Sequence, residues 1–459
     1  MLVGGLSVTL RVWELLVITI VLQFGMLPLM ARDFHRVALS APLVNLVAVP
    51  LTGIIVPLGF VTLAIGPFFP ALGKILATPL AWLTSFLLHA VQWFAHFPHW
   101  TYRIPGPPIW LILFFFTVAV LLACLCRLRH PLPRKLVRAI CLTWLAFVLV
   151  VAVYPFGPRW TKGNLEVTVL DVGQGDSLFV VFPGGKTMLI DGGGAFGGFP
   201  GREQHSGIDP GEEAVSPYLW SRGFQKLDVV ALTHGHQDHL GGLSAILENF
   251  RVGRLWIGRE VTSAGLAALE EHARERRVPI EHELRGKSFS WEGVEGSILW
   301  PETASGDVAQ SAKNNDSLVL KLKYGNLGVL LPGDAEKEAE REILAENDAE
   351  DIQADVLKVG HHGSKNSSTP EFLAAVRPRV GIISAGEDNP YGHPSRELLE
   401  RLESAGVRIL RTDRDGAVSV LTDGVRMEIT CFVSCTNHPD LAVSVRTDHP
   451  NHKQSSEKK

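Results

Sequence analysis

The chain contains 459 residues, of which 46% are hydrophobic and 20% are charged, and this composition excludes an intrinsically disordered chain and a small disulfide-held scaffold. The charges are unevenly distributed. Residues 1–158 contain ten Lys and Arg but only two acidic residues, Glu14 and Asp33, which leaves 33 basic and 45 acidic residues, a net charge of −12, for residues 159–459. We therefore predict a membrane-embedded part, residues 1–158, joined to a water-soluble part.

The first part contains four long stretches without Asp, Glu, Lys or Arg: 37–73, 75–102, 104–126 and 139–158. A helix needs roughly 20 apolar residues to cross the hydrocarbon core of a bilayer, so each stretch is long enough to supply a span. Leu15–Met30 is a shorter, fifth candidate. A cleavable signal peptide does not explain apolar stretches that recur along the whole of this part. The pattern predicts a polytopic α-helical membrane region.

The stretch 37–73 is interrupted by five prolines: Pro42, Pro50, Pro57, Pro67 and Pro70. As one helix it would be about 55 Å long, which exceeds one bilayer. Broken helices or a re-entrant pair are therefore one prediction, and one span followed by an interfacial segment is the alternative. Irregular backbone at membrane depth is tolerated where it is buried in protein or lines a watery cavity, so the first alternative suggests a conduit.

The densest basic loop next to any of these stretches is Arg127–Arg138, which contains Arg127, Arg129, Arg134, Lys135 and Arg138. Short loops rich in Lys and Arg stay on the cytoplasmic side. The stretch 139–158 would then leave the cytoplasm. We therefore expect the water-soluble part to lie outside it.

Residues 159–432 have the pattern of a folded α/β domain. Short β-rich runs alternate with amphipathic stretches, which predicts sheets covered by helices. The predicted strands are Leu165–Leu170, Ser177–Phe182, Thr187–Ile190, Asp228–Leu232, Arg254–Ile257, Gly296–Trp300, Leu318–Leu322, Leu327–Leu331, Val356–Val359, Val380–Ser384 and Ala417–Leu421, and the predicted helices lie near 211–222, 239–249, 262–276, 335–346, 370–376 and 395–405. Residues 433–459 are predicted to form a disordered tail.

The strongest chemical signal follows an apolar strand, where His234, His236, Asp238 and His239 lie within six residues. On a loop at the end of a strand, His234 and His236 can converge on one metal ion, while Asp238 and His239 face a second. Imidazole and carboxylate are ligands that suit Zn²⁺ or Mn²⁺. The alternative is a solvent-exposed histidine-rich loop.

Three further segments place polar side chains directly after strands or in a nearby loop. Asp334 follows one strand, and the pair His361–His362 follows another. His393 stands alone in a loop. Taken singly, Asp334 could be a helix cap and His393 a turn residue, but together they predict a dinuclear hydrolytic site.

In this interpretation the metal ligands are His234, His236, Asp238, His239, Asp334 and His361. His361 is preferred to its neighbour as the ligand because it is nearer the strand end. Asp238, His362 and His393 are the predicted catalytic residues: His362 as a ligand, an orienting group or a donor to phosphate, and His393 as the proton donor to the leaving oxygen. Asp191 is expected to hold the metal loop by accepting hydrogen bonds.

The order of these motifs resembles the metallo-β-lactamase fold and, more narrowly, the ComEC competence protein family. The motifs that carry the resemblance are Leu170–Ser177, Asp191–Gly193, Asn314–Leu320, Leu331–Asp334, Gly360–Ser364, Tyr391–Pro394 and Arg411–Gly416, all behind a polytopic segment. The resemblance implies a polytopic α-helical membrane region followed by an α/β metallo-β-lactamase-like αββα sandwich. It also implies a protein of the bacterial inner membrane that moves one DNA strand inward while the outer domain degrades the other.

The implied function requires two divalent metal ions, Zn or Mn, as cofactors. Its implied partners are DNA and membrane lipid, and other competence proteins or further copies of the chain are candidate partners. Two departures stand out. Family members have an amino-terminal membrane segment and a small β-domain before this region, so residues 1–158 are expected to be an incomplete competence region. The third histidine of the lactamase site is absent, and Asn315-Asp316-Ser317 stands in its place.

Alternative functions remain open at this point. A β-lactam or thioester hydrolase would use the same metals. In addition, the net negative charge of the soluble part does not indicate a polyanionic partner such as DNA. A transporter with a non-catalytic soluble domain is the other alternative, although it predicts the loss of ligands that are present. The pairing of Cys431 with Cys435 also stays open.

Overall fold

The computed structural model describes residues 2–95, 97, 100–127, 133–194, 209–259, 263–302, 313–433, 435 and 445–446. The chain divides into two compact units, residues 1–157 and 158–459, which are described separately. Residues 128–132 of the predicted basic loop lie outside the described residues, as does most of the predicted tail.

The described residues of the first unit form five helices and one small sheet. The helices are α1 (Leu2–Asp33), α2 (Ala41–Ile65), α3 (Pro70–Ala95), α4 (Ile109–Cys126) and α5 (Arg134–Val153), and the strands are β1 (Arg36–Ala38) and β2 (Thr101–Arg103). Among the described residues, three segments are long and apolar enough to cross a membrane: Leu10–Asp33, Ala41–Ile65 and Pro70–Ala95. Ile109–Leu125 is a shorter apolar helix.

The stretch 37–73 is broken at residues 66–69, beside two of its five prolines, Pro67 and Pro70. Helix α2 continues through Pro50 and Pro57, and the break lies at residues 66–69, so that Lys74 is inside α3. At 1.5 Å per residue, α2 is about 37 Å long, enough to cross a bilayer. The stretch 37–73 therefore contains one long helix, α2, and the beginning of the next, α3. Helix α2 stays continuous through its prolines because a backbone group without a hydrogen-bond partner in hydrocarbon costs several kcal/mol.

Helices α2 and α3 form a hairpin whose two ends return to the same side of the unit. The hairpin is closed by β1 and β2, which pair antiparallel with Arg36 opposite Arg103. At the other end of the hairpin the helices approach closely: a Cβ on Gly73 would lie 2.7 Å from the Gly66 Cα atom. The end of α1, the start of α4 and the end of α5 share one apolar cluster that includes Ala31, Leu111 and Val151. These three helix ends therefore lie together.

The second unit contains two large sheets. Its strands are β3 (Leu165–Val169), β4 (Leu178–Val181), β5 (Thr187–Ile190), β6 (Lys226–Leu227), β7 (Val229–Leu232), β8 (Arg251–Val252), β9 (Leu255–Ile257), β10 (Ile280–His282), β11 (Ser288–Trp291), β12 (Val294–Trp300), β13 (Val319–Tyr324), β14 (Leu327–Leu331), β15 (Val356–Lys358), β16 (Val380–Ile383), β17 (Arg408–Arg411), β18 (Val418–Thr422), β19 (Arg426–Cys431) and β20 (Val445–Arg446). Its helices are α6 (Ser216–Ser221), α7 (Gln237–Leu240), α8 (Leu243–Asn249), α9 (Ala264–Glu275), α10 (Lys337–Glu346), α11 (Ala349–Ile352), α12 (Pro370–Val376), α13 (Arg396–Ser404) and α14 (Thr412–Asp415).

The strand order places parallel strands side by side in both sheets. The first sheet has the order β10-β9-β7-β5-β4-β3-β18-β19-β20, and the second has the order β11-β12-β13-β14-β15-β16-β17. Strands β5, β7, β9 and β10 are parallel to one another, and so are β14 to β17. The carboxyl ends of parallel strands lie at one edge of a sheet, so the loops that follow these strands are brought together there.

The side chains of the strands alternate between two apolar layers. In β4, Leu178 and Val180 belong to the core between the sheets, whereas Phe179 and Val181 pack against the helices that cover the first sheet. In β14, Val329 belongs to the core between the sheets and Leu330 faces the helices on the second sheet. Helix, sheet, sheet and helix layers make an αββα sandwich, which confirms the predicted fold class.

Most predicted strands are found, but several strands at or near the sheet edges were missed. Among these, β19 has polar residues at alternate positions, and β17 has an apolar run of only two residues, Ile409 and Leu410. Within the predicted tail, Val445–Arg446 pairs with β19, and the disorder of the remainder stays a prediction. Cys431 and Cys435 form a disulfide.

Candidate metal centre

Side chains from both sheets meet at the edge where the parallel strands end. Asp191 directly follows β5, and the loop that carries His234 follows β7 in the first sheet. In the second sheet, Asp334 comes after β14, and His361 and His362 come after β15. The candidate ligands that follow strands in the sequence thus lie at one edge of the sandwich.

Asp191 holds the loop after β7. Its carboxylate accepts hydrogen bonds from the Thr233 backbone N–H and the Thr233 hydroxyl, both at 2.7 Å. It also accepts a hydrogen bond from His239 Nδ1 at 2.7 Å, which directs His239 Nε2 away from Asp191. Such a carboxylate–histidine contact fixes the orientation of a metal ligand, which is the role expected for Asp191.

Glycines allow neighbouring loops to approach this segment. A Cβ on Gly194 would lie 2.6 Å from the Asp238 Cα atom, and one on Gly175, whose φ is +131°, would lie 2.3 Å from the Asp238 carbonyl oxygen. No side chain fits at such distances. The glycine-rich segment after Asp191 is therefore required for Asp238 to reach its position.

Four side chains form a cluster with the geometry of a metal site: Asp238, His239, Asp334 and His362. One ligand atom from each lies within 4.8 Å of all the others. His239 Nε2 is 3.2 Å from Asp334 Oδ2, and His362 Nε2 is 3.4 Å from the same oxygen. His362 Nε2 is also 3.3 Å from Asp238 Oδ2.

The electrostatics of the cluster are those of closely packed opposite charges. Burial alone would raise the pKa of Asp334, but the charges of His239 and His362 outweigh it and hold the pKa well below its usual value. Burial alone would lower the pKa of His239 and of His362, but Asp334, together with Asp191 and Asp176 respectively, raises both pKa values well above the usual one. The pKa of Asp238 is lowered too, because the contact with His362 and the charges of His239 and His362 together outweigh burial.

The cluster fits a divalent cation. Asp334 Oδ1, His239 Nε2 and His362 Nε2 are buried, and none has a hydrogen-bond partner among the described residues. Buried polar atoms without hydrogen-bond partners are rare in native proteins, and convergent imidazole nitrogens and carboxylate oxygens are a typical zinc or manganese ligand set.

The structure places His362 in this cluster, whereas the sequence-based prediction chose His361 as the ligand. His362 is 1% exposed, whereas the His361 side chain is 22% exposed and its Nε2 lies 3.8 Å from Asp334 Oδ2. The reason is local backbone geometry: both residues have positive φ values, 45° and 51°, which turn the chain sharply after β15. Nearness to the strand end therefore did not predict which ring faces inward.

His234 and His236 form a second, incomplete set. Their rings touch, with His234 Nε2 2.9 Å from His236 Nδ1, and His234 lies beside His239 with ring centroids 4.3 Å apart. Burial lowers the pKa of His234 well below its usual value, which favours the neutral ring that binds metal. The Ser317 hydroxyl lies 3.4 Å from His234 Nδ1, at the position where the sequence lacks a third histidine.

Sequence reasoning missed one buried pair behind the cluster. The side chains of Asp176 and Lys358 form an ion pair and are 0% and 1% exposed. Asp176 also lies 3.3 Å from His362 Nδ1. The charges of Lys358 and His362 outweigh burial and lower the pKa of Asp176 to about 2. A lysine inside an otherwise apolar strand was the available signal.

His393 lies at the rim of the site. Its ring is 5.5 Å from the ring of His361, and its Nδ1 is buried without a hydrogen-bond partner among the described residues. Burial lowers the pKa of His393, and His361 and His362 lower it further. The predicted catalytic histidine is thus brought to the site, on the side of His361.

Comparisons with known proteins agree with the two-part organisation. Residues 4–129 match the competence protein family, and residues 170–387 match the metallo-beta-lactamase superfamily. The chain is 33% identical over 412 residues to ComE operon protein 3 of Bacillus subtilis, which covers 88% of this chain and 51% of that protein. It is 27% identical over 394 residues to competence protein ComA of Neisseria gonorrhoeae, covering 85% and 49%.

The chain therefore spans about half the length of these curated relatives. Among solved structures, the metallo-beta-lactamase fold protein YhfI of Bacillus subtilis aligns with 54% of this chain and 96% of its own, at 12% identity and a TM-score of 0.34. The family matches confirm the resemblance that the sequence motifs predicted.

Proposed function

We propose that this chain is a membrane protein of DNA uptake and that its soluble domain is a metal-dependent DNA nuclease. The proposal starts from the combination of a competence-protein segment with a metallo-β-lactamase superfamily domain in one chain. The observation that carries the enzymatic part is the convergence of Asp238, His239, Asp334 and His362 on a point where two imidazole nitrogens have no hydrogen-bond partner among the described residues. A site of this composition suits hydrolysis rather than structural support, because Asp238 remains partly accessible.

The proposed ligand sets are unequal. Asp238, His239, Asp334 and His362 make one complete site for Zn²⁺ or Mn²⁺. His234 and His236 supply a second, weaker site that lacks a third protein ligand and needs water or substrate oxygens to complete it. In this proposal His362 is the ligand, in place of His361, which was chosen from the sequence.

Divalent cations at these positions would polarise a phosphoryl oxygen and lower the pKa of a bound water. The protein's own residues would supply the rest. Asp191 and Asp176 contact the Nδ1 atoms of His239 and His362, so that both Nε2 atoms would be available to hold a cation. His393 at the rim is proposed as the proton-transfer group for the leaving oxygen.

We also propose that the soluble domain lies outside the cytoplasm. The β1–β2 pairing puts the end of α1 and the start of α4 on one side of the membrane unit, and the apolar cluster at Val151 adds the end of α5 to that side. Among the residues that the structure describes, the opposite side carries Lys74, Arg127, Arg134, Lys135 and Arg138, and the first side carries Arg32, Arg36 and Arg103. The positive-inside rule therefore favours a cytoplasmic position for the opposite side.

The membrane part is proposed to contribute to a path for one DNA strand. None of residues 41–65 in α2, all of which the structure describes, is buried within the unit. This surface is available for lipid, for further copies of the chain or for other competence proteins, which are the proposed partners.

The enzymatic proposal can be tested with the whole chain purified in detergent. The metal-loaded protein is incubated with single-stranded DNA, duplex DNA, RNA and nitrocefin, alongside Asp238→Ala and His239→Ala, with His272→Ala on helix α9 as a control. Cleavage of DNA that is lost in both site variants and kept in the control is expected. Hydrolysis of nitrocefin with DNA left intact would instead favour the β-lactamase alternative.

A further inference from the structure

Three arginines of the membrane unit are brought together by the ribbon that β1 and β2 form. Arg36 lies directly opposite Arg103 in this antiparallel pair, and side chains that lie opposite each other share one face of a ribbon. Arg32, at the end of α1, joins them, because a Cβ on Gly106 would lie 3.0 Å from the Arg32 Cα atom. The chain therefore packs Arg32 against the segment that follows Arg103.

Backbone hydrogen bonds continue the ribbon beyond its three pairs of residues. The Ile104 N–H donates to the His35 carbonyl oxygen at 3.1 Å, and the Leu39 N–H donates to the Trp100 carbonyl oxygen at 2.7 Å. The ends of the α2–α3 hairpin are thus held together by main-chain contacts. The positions of the arginine Cα atoms are fixed by the backbone and do not depend on the arginine side chains.

The positive charge of this cluster exceeds the negative charge that the membrane unit can place beside it. Residues 1–158 contain only two acidic residues, Glu14 and Asp33. Asp33 Oδ1 lies 4.0 Å from Arg32 Nε, whereas Glu14 precedes Asp33 by 19 residues in the same helix, about 28 Å along its axis. Like charges directly opposite each other also destabilise a strand pair. Three guanidinium groups beside one carboxylate therefore favour an anionic partner.

The cluster is bordered by apolar side chains that face away from the core of the unit. More than half of the surface is exposed in each of four of them: Phe34, Leu39, Ile109 and Trp110. A phospholipid combines a phosphate group with acyl chains, and it meets apolar helices at the level where they end. A nucleic acid strand offers bases instead, and Leu39 and Ile109 provide no ring on which a base could stack. The combination of charges and aliphatic groups favours a lipid.

We propose that Arg32, Arg36 and Arg103 form a binding site for the headgroup of an anionic phospholipid. Guanidinium groups stay charged at every physiological pH, and their planar N–H donors match the oxygens of a phosphate. Arg36 and Arg103 contact the phosphate from one face of the ribbon, and Arg32 adds a third charge from the end of α1. The acyl chains lie along the exposed apolar side chains. This site requires a membrane around the first unit and does not require that the soluble unit be a nuclease.

The test measures lipid binding to the delipidated whole chain in detergent by native mass spectrometry. Phosphatidylglycerol and phosphatidylcholine with the same acyl chains are compared, because both contain a phosphate but only the first has a net negative charge. We expect the unmodified chain to prefer phosphatidylglycerol. Arg36→Gln and Arg103→Gln should each lose about 5-fold in affinity for it, as expected for one cation beside an anionic headgroup, and the double variant should bind the two lipids alike.

Two further variants separate lipid recognition from damage to the fold. Arg32→Gln lies outside the ribbon, so it leaves the strand pairing intact and should still lose about 5-fold in affinity for phosphatidylglycerol. Lys74→Gln is the matched control. It removes one exposed cation near the start of α3, at the other end of the hairpin, and should keep the preference of the unmodified chain.

Other results overturn the proposal. They are equal binding of both lipids by the unmodified chain, a preference that survives in the double variant, or an equally large loss in Lys74→Gln. Single-stranded oligothymidine is added as a competitor. If it displaces phosphatidylglycerol from the unmodified chain and its own binding is lost in the arginine variants, the cluster recognises nucleic acid and the lipid assignment is wrong.

Discussion

The ammonium group of Lys358 pairs with the carboxylate of Asp176 in the interior of the soluble unit, with side chains 1% and 0% exposed. Asp176 lies in turn 3.3 Å from His362 Nδ1, and the other nitrogen of that ring faces Asp238 and Asp334. The charge of Lys358 therefore acts on the metal cluster through one carboxylate and one histidine.

Replacing Lys358 by methionine should destabilise the soluble unit by about 3–5 kcal/mol, because the change leaves Asp176 buried without its partner. Chemical denaturation of the whole chain in detergent measures the loss. Lys365→Met, at an exposed position in the same segment, serves as the control and should unfold like the unmodified chain. Equal stability of the two variants would contradict a role for the buried pair.

His362→Ala should lose most of the bound metal, whereas His361→Ala should retain it. The reason is that His362 Nε2 lies within 3.4 Å of both Asp238 and Asp334, while His361 is paired with Glu336. Metal analysis after dialysis distinguishes the two. Greater loss from His361→Ala would restore the sequence-based choice of ligand.

Asp238→Ala and His239→Ala should remove more metal than His234→Ala. The first two residues belong to the four-membered cluster, whereas His234 has only His236 as a neighbouring ligand in the incomplete set. Titration of the metal-free variants with Mn²⁺ gives the number of ions and their affinities. If His234→Ala abolishes the tighter of two binding events, the proposed order of the sites is wrong.

Metal affinity should fall as the pH is lowered. Nearby carboxylates outweigh burial and raise the pKa values of His239 and His362 well above the usual one, which favours the doubly protonated form of both rings in the metal-free protein. A cation must displace both protons, which predicts a decrease of about 100-fold in affinity per pH unit below these pKa values. Calorimetry in two buffers of different ionisation enthalpy should show release of about two protons. Metal binding without proton release would contradict this account.

A reporter fused after residue 160 should behave as an extracytoplasmic one. An alkaline phosphatase fusion at this position should be active and a β-galactosidase fusion inactive, while a fusion after Lys74 should give the opposite result. The Cys431–Cys435 disulfide should then resist alkylation until a reductant is added, as expected in an oxidising compartment. Active β-galactosidase after residue 160 would reverse the proposed topology.

Local patterns in the sequence were sufficient for much of this molecule. The segment from His234 to His239 follows a buried strand, and a strand end restricts where such closely spaced side chains can go. The central strands are apolar on both faces, as buried parallel strands must be, and were predicted for that reason. Strands β17 and β19 lie at or near the sheet edges, where one face meets solvent and the apolar signal is weaker.

In the membrane unit, the uncharged stretches alone revealed how much apolar chain is present, but not where it turns. The sequence suggested a boundary at Lys74, yet the turn lies at residues 66–69, where Gly66 and Gly73 allow α2 and α3 to meet. Charge is a poor marker of a turn at a helix end, because a lysine near an interface can extend its ammonium group to water.

The sequence by itself determined the types of the candidate ligands and their positions after strands, because the spacing of His234, His236, Asp238 and His239 along one loop leaves few arrangements. Only the tertiary structure decided between His361 and His362, since two successive residues with positive φ direct the two rings to different places. It also decided the partnership of Asp176 with Lys358 and of Glu336 with His361. Those contacts join residues 182 and 25 positions apart, and such distances are closed by the packing of the two sheets and not by any local preference of the chain.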